Sequence, residues 1–184
     1  QAKSKGLYVT VGLQTRYSPG AQDVVKRIHD GAVGEPVAGN IWRLGGGLWH
    51  RGSDPSWSDM EYQCRNWYYF VWLSGDQITE MVVHQVDLMN WALGAHPVSA
   101  LANGGRQVRT DPKYGNIYDH MSVDFEYPND VHVTCMVRQI ANCENKNDNL
   151  VVGTIGTSDS RQTIRGQNRY RHRDDRTSNP TVIE

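Results

Sequence analysis

MSVDFEYPNDVHVTCMVRQI, residues 121–140, carries the pattern on which the fold turns. Met121, Val123, Phe125 and Tyr127 alternate with Ser122, Asp124 and Glu126, and Val131, Val133, Cys135 and Val137 alternate in the same way. A period of two puts the two sets of side chains on opposite faces of a strand. Pro128, Asn129 and Asp130 lie between the runs as a tight-turn signal, so the strands are expected to pair as an antiparallel hairpin. Thr134, Met136 and Arg138 fall on the second face. That face is less polar than a solvated one and is expected to meet another subunit.

Outward from the hairpin, Val98–Val108 and Leu150–Ile155 read as further strands. Upstream the pattern becomes helical. Ser18 and Pro19 are an N-cap and a first-turn proline, Ala21, Val24, Val25 and Ile28 recur at i, i+3, i+4 and i+7, and Gly31 ends the run. Gly34–Glu35–Pro36 leads into a strand from about Val37 to Leu44. Asp76–Leu93 reads as a helix stopped by Gly94 and Pro97. Helices followed by consecutive strands argue for an α+β fold, an open, mainly antiparallel sheet with helices packed on one face.

Other segments carry weaker signals. Gln1–Gly6 looks like a helix end, and Leu7–Gln14 (LYVTVGLQ) like a strand. GGGLWHRGSDPSWS, residues 45–58, reads as a loop whose glycine triplet lets the backbone pass close to something or take positive φ. Asn66–Leu73 fits a short helix or strand. Ser158–Pro180, with arginines at 161, 165, 169, 171, 173 and 176, reads as a solvated, partly disordered segment.

The chain has 184 residues, and its 19 Lys+Arg against 20 Asp+Glu leave a formal charge of −1, which excludes a dedicated nucleic-acid binder. No apolar run is long enough to span a membrane as a helix, and Gln1–Gly6 carries no signal-peptide core. Cys64, Cys135 and Cys143 show no metal or disulfide spacing and read as free thiols. Of six Trp, nine Tyr and two Phe, nine fall between Trp42 and Trp72, a density that builds either a core or a platform for flat ligands such as sugar rings.

The sharpest chemical feature is EMVVHQVD, residues 80–87. On a regular α-helix His84 lies about 40° and Asp87 about −20° from Glu80, so the three share one stripe. Val82, Val86, Met89 and Leu93 make the strongest apolar arc on the opposite side. Three readings of the stripe stay open. His84 is a general acid/base whose tautomer a carboxylate fixes; or the trio is a metal half-site, which lacks a second ligand cluster; or it is a satisfied buried polar network. Nucleophile and phosphate-loop motifs (GxSxG, GxGxxG) are absent.

The stretches VGLQTRYSPG, QCRNWYYFVWLSGDQITEMVVHQVDLMNWALGAHPVSA and FEYPNDVHVTCMVRQIANC resemble the glucose–fructose oxidoreductase / inositol dehydrogenase / MocA family, over about Leu7–Thr157. The resemblance is to the branch with a long aromatic insertion before the catalytic helix. It implies a Rossmann domain that binds NAD or NADP, followed by an α/β substrate domain to which this chain is similar. Residues 1–15 then correspond to the last strand and crossover of the first domain, 16–157 to the substrate and oligomerisation domain, and 158–184 to a truncated arginine-rich tail. The family's glycine-rich nucleotide loop and its Glu-Lys-Pro segment have no counterpart here.

What the resemblance implies is the substrate-binding and catalytic-base domain of an NAD(P)-dependent oxidoreductase acting on a sugar, polyol or glycoside. His84 takes the hydroxyl proton, Glu80 orients it, and Asp87 completes the motif. Arg16, Tyr17, Trp49, Arg65, Asn66, Trp67 and Tyr69 line the substrate pocket, and Gln14 faces the cofactor. No metal is expected, and no cofactor is expected on this chain alone, which should then be inactive. Its partners are a small carbohydrate or polyol and a second copy through the open sheet face, with no nucleic acid or membrane. NAD-dependent glycoside cleavage and a non-catalytic sugar-binding or oligomerisation module stand as alternatives. The compartment, cytoplasm or periplasm, is left open.

Overall fold

The computed structural model describes residues 1–173. Helix α1 (Pro19–His29) follows Ser18 as N-cap and buries Ala21, Val24, Val25 and Ile28, the face its spacing predicts. Strand β1 (Pro36–Gly45) comes next, then helices α2 (Asp59–Arg65) and α3 (Val71–Ser74) of the aromatic segment. A π-helical turn, Ile78–Val82, runs directly into α4 (Val83–Leu93). Seven strands complete the order: β2 (Ser99–Gly105), β3 (His120–Tyr127), β4 (Val131–Gln139), β5 (Lys146–Gly153), β6 (Gly156–Ser158), β7 (Thr163–Gly166) and β8 (Tyr170–Arg171).

The strands form one open sheet in the order β2-β3-β4-β1-β5-β6-β7-β8. Every pairing is antiparallel except β1 with β4. The expected hairpin forms, with Tyr127 opposite Val131 and Val123 opposite Cys135. Asn129 and Asp130 both take positive φ in its turn, a conformation Asn and Asp tolerate. Helices α1 and α4 cover one face. The core between the layers holds Val24, Val25, Ile28, Ile41, Leu88, Met89, Val133, Cys135, Val137 and Val151. Burial pushes the Cys135 thiol up to about 12, which leaves it a packing group rather than a nucleophile.

Three expectations are corrected. Leu7–Gln14 forms no strand: its alternation meets no partner strand among the described residues, and Leu7, Tyr8, Val9 and Val11 stand exposed before a short 3-10 turn, Gln14–Tyr17. The arginine-rich segment from residue 158 is the outer sheet as far as Arg171. Ser158, Ser160 and Ile164 are buried there, and the Arg27 guanidinium lies 3.7 Å from the centre of the Tyr170 ring. Residues 174–184 lie outside the described residues. The Gly45–Gly47 triplet has no positive φ, and a Cβ at any of the three would meet nothing within 4 Å.

The outer face of the sheet carries Trp42 opposite Met136 and Asp148, with Leu101 and Met136 exposed. The Lys146 ammonium sits 3.3 Å from the Trp42 ring centre. No helix among the described residues is long and apolar enough to cross a membrane.

Candidate active site

The site is built where the helix-facing side of the sheet changes character. Along β1 this side reads Gly39, Ile41, then Arg43; along β4 it reads Val133, Cys135, Val137, then Gln139. On β5 it passes from Val151 to Asn149 and Asn147, which lie beside Ile41 and Arg43. One end of an apolar core layer thus becomes polar. The π turn and the start of α4 lie over that end. Gln85 anchors them there: its side chain donates to Asn147 Oδ1, and its carbonyl accepts from Asn149 Nδ2 at 2.9 Å.

The π turn alters the ridge expected from α-helical spacing. It admits an extra residue per turn, and such turns occur often at functional sites. Helix α4 buries Gln85, Leu88, Met89 and Ala92, so the ionisable ridge borders the buried face instead of opposing it. Glu80 Oε2 and His84 Nδ1 are both buried and neither has a hydrogen-bond partner. Burial pushes the Glu80 carboxyl above its ordinary value, while the His84 and Arg43 charges pull it back. Asp87 is held elsewhere. Its carboxylate accepts two bonds from Arg16 Nε (2.9 and 3.1 Å) and one from Arg16 Nη2 (2.8 Å), and the Arg16 guanidinium lies 5.2 Å from the Trp91 ring centre. That fork fastens the 3-10 turn carrying Gln14, Arg16 and Tyr17 to α4.

The aromatic segment divides into core and rim. Tyr68 and Tyr69 are buried with Ile117. The Tyr69 hydroxyl donates to the Trp49 carbonyl at 2.7 Å, so Tyr69 shapes the loop and has no face to offer a ligand. Asn66 is fully buried, and both ends of its amide are used on the backbone: it accepts from Arg51 N at 2.9 Å and donates to the Gly52 and Tyr62 carbonyls at 3.2 Å. Arg65 bonds Glu61 and stacks 4.4 Å from the Trp57 ring centre, on the outside. Trp49 and Trp67 remain part-exposed with ring centroids 6.0 Å apart, and Tyr17 is exposed.

Sequence reasoning missed three contributors. Helix α2 has a readable start, since Ser58 Oγ accepts from Glu61 N at 3.2 Å, the S-x-x-E arrangement. Tyr68 has no local signal. Burial drives its hydroxyl well above the ordinary phenol range and the Glu80 charge adds to it; Oη has no hydrogen-bond partner. The third is Arg109, almost wholly buried. Its Nη1 donates to Gln139 Oε1 at 2.7 Å, and the guanidinium lies 4.4 Å from the Tyr114 ring centre. Asp119 sets its place by accepting from the backbone N–H groups of Gln107, Val108 and Arg109 at 2.9, 2.7 and 2.9 Å. Gly115, at φ 55° with a would-be Cβ 2.0 Å from the Tyr69 carbonyl oxygen, lets this loop close against the aromatic segment.

Gln14 and Thr15 line a cleft of about 430 Å³ with Ser18, Asp148, Asp159, Arg161 and Gln162. Among the described residues no three His, Cys, Asp or Glu side chains gather as a metal site, so the half-site reading gains no second ligand set.

A family model described as GFO/IDH/MocA C-terminal domain matches residues 21–159. No curated protein matches the chain in sequence. Among solved structures, aldose–aldose oxidoreductase from Caulobacter crescentus, complexed with glycerol, aligns with TM-score 0.65 and 19% identity over 90% of this chain and 46% of that one. Myo-inositol dehydrogenase from Lactobacillus casei, in complex with NAD(H) and myo-inositol, aligns with TM-score 0.56 and 18% identity, over 81% and 38%. A super-repressor mutant of Gal80p from Saccharomyces cerevisiae aligns with TM-score 0.62 and 16% identity, over 89% and 44%. The chain spans less than half the length of each of these three, and at such identities they share its fold.

Proposed function

This chain belongs to the GFO/IDH/MocA C-terminal domain family, and from that premise we propose that it is the substrate-binding and proton-transfer domain of a nicotinamide-dependent oxidoreductase acting on a sugar or polyol. The observation that carries the reading is the Glu80–His84 pair, two half-buried ionisable side chains, each with an enclosed, unpartnered atom at the polar end of the core. Buried polar atoms normally find partners, and a substrate hydroxyl is a partner of the right chemistry for both. The glycerol and myo-inositol held by two proteins of the same fold fit that class.

In this reading NAD or NADP, when bound, would supply the hydride acceptor, and Gln14 would help to hold it. His84 accepts the proton of the substrate hydroxyl as the carbon is oxidised, and Glu80 stabilises the imidazolium that results. Asp87 acts through Arg16, holding the 3-10 turn against α4. Trp49 and Trp67 offer faces to the sugar ring, and Tyr69 and Asn66 keep the loop that carries Trp49 in shape.

The test is an assay of the complete protein with NAD and NADP against a panel of sugars and polyols, read by reduced-nicotinamide absorbance. Reduction with at least one polyol is expected. Its absence across the panel, with cofactor shown to bind, defeats the reading.

We further propose that a second copy docks on the outer sheet face around Trp42 and Met136, where Met136 is exposed. Met136→Arg, which sets a charge at the centre of that face, is expected to halve the mass seen by sedimentation equilibrium. An unchanged mass removes the face from the assembly.

A further inference from the structure

The π turn that carries Glu80 is bracketed by two buried glutamines. Gln77 immediately precedes the turn and is fully buried, and Gln85, the third residue of α4, is 2% exposed. We propose that Gln77 and Gln85 are positioning residues that hold the π turn between them and so fix where Glu80 stands relative to His84. This inference rests on the proton-transfer reading above and adds the groups that set its geometry.

Both glutamines are tied to segments far along the chain. On the upstream side the Gln77 side-chain amide donates to the Tyr118 carbonyl. The Asp76 carboxylate accepts from Gln77 N at 2.7 Å and from Tyr118 N at 3.1 Å. Both backbone groups of Tyr118 are thus bound to residues 76 and 77, and its neighbours Ile117 and Asp119 are themselves buried. Gly75 and Asp76 take left-handed φ of 70° and 64°, which sets the direction of entry. On the downstream side the Gln85 side-chain amide donates to Asn147 Oδ1, and the Gln85 carbonyl accepts from Asn149 Nδ2 at 2.9 Å. Asn147 and Asn149 are alternate residues of β5 and share one face.

Geometry shows what the two anchors prevent. A π turn holds one residue more than an α turn and is rare outside single turns. Release of that residue would turn the chain on one side by about 100° and shift it by roughly 1.5 Å relative to the other. Glu80, inside the turn, would then part from His84, in the regular helix after it. Packing of Leu88, Met89 and Ala92 does not oppose this, because apolar contact is non-directional. The directional bonds at the two ends do oppose it, since neither glutamine can rotate without losing its partner. The residue type agrees. Oε1 of each glutamine is enclosed without a partner, a cost that an apolar side chain of similar length would avoid, while a buried polar network specifies one arrangement.

Gln77→Met and Gln85→Met, separately and together, test this in the complete protein. Asn147→Ala, at an exposed position, removes only the acceptor of the Gln85 side chain. Each glutamine variant is expected to lower kcat about 10- to 10²-fold with KM changed less than about twofold, the range for a misplacement of about 1 Å. Asn147→Ala is expected to give a smaller loss in the same direction. The acid limb of the pH–rate profile, set by Glu80, is expected to move to lower pH as the carboxyl gains water. Backbone amide exchange is expected to quicken at residues 78–84 and not in α1 or β4. Wild-type kcat and pH profile overturn the inference. So does a loss of kcat with the acid limb in place, or with exchange quickened evenly over α1 and β4, which marks a general loss of stability. A complete protein inactive on every sugar and polyol defeats the proton-transfer reading. Exchange then decides the anchors alone: local quickening upholds them and unchanged protection overturns them.

Discussion

If His84 is the proposed proton acceptor, His84→Ala in the complete protein is expected to lower turnover about 10²- to 10⁴-fold, the range for loss of a general acid/base. His84 Nδ1 is buried without a protein partner, so its removal breaks no internal hydrogen bond at that atom and stability should change little. The loss should appear in kcat more than in KM, because a proton-accepting role is exercised in the transition state. Glu80 adds a pH signature. Burial holds its carboxyl above the ordinary value, so it gains its proton earlier than a surface carboxylate as pH falls, and the acid limb of activity lies correspondingly higher. Glu80→Gln should abolish that limb while leaving part of the rate. A His84→Ala enzyme with unchanged kcat removes His84 from the chemistry.

The largest effect on stability is expected at Asp119, which is completely buried. It gathers the backbone N–H groups of residues 107–109 and one ring nitrogen of His120, the latter at 2.7 Å. Asp119→Ala strands these donors, of which the Arg109 N–H is buried while the His120 ring can turn to water, and at roughly 1–3 kcal/mol for each buried unsatisfied group the loss is about 3 kcal/mol. Denaturant unfolding measures it, and a loss below about 1 kcal/mol contradicts the account. Burial alone would push this carboxyl up, but the N–H donors and His120 together outweigh it and hold it below the ordinary value. The folded state therefore binds the proton more weakly than the unfolded chain does. The contribution is fully present above the unfolded pKa of about 3.9 and is lost as pH falls through the depressed folded value. Stability of the alanine variant should be flatter than wild type across that acid window.

How far these features could be read from sequence depends on their range. The 121–140 hairpin and α1 were legible because alternation and 3.6-residue spacing are local and the turn and cap residues agreed with them. The ridge on residues 80–87 was legible as a cluster but misplaced in angle. The π turn at Ile78–Val82 displaces Glu80 without a compositional mark, while within the regular turns of α4 it is the burial of polar Gln85 with Leu88 and Ala92 that brings the buried face round toward His84. Asp87 was grouped with His84 by spacing, and only the tertiary fold brings Arg16 to it. Leu7–Gln14 has strand alternation, but a strand is made by a partner. Strands β6–β8 were hidden by arginines whose side chains look solvated in composition, although Ile164 and Ser158 between them are buried. Tyr68 and Arg109 owe their places to contacts far along the chain.

The parallel pairing of β1 with β4 has a kinetic consequence. Its last register pairs, Leu44 with Arg138 and Gly45 with Gln139, bring together two walls of a cavity of about 110 Å³ lined by Arg43, Gly45–Gly47, Met81, Arg138 and Gln139. Between those walls in sequence lie the aromatic segment, the π turn, α4 and both strands β2 and β3. Parallel, non-local pairing must overcome the closure entropy of all that chain before its contacts give anything back. The hairpin and α1 can form from neighbours alone, whereas the cavity waits for that long loop to close. A chain that has not yet joined β1 to β4 therefore lacks this cavity, however much of the hairpin and α1 it has already built.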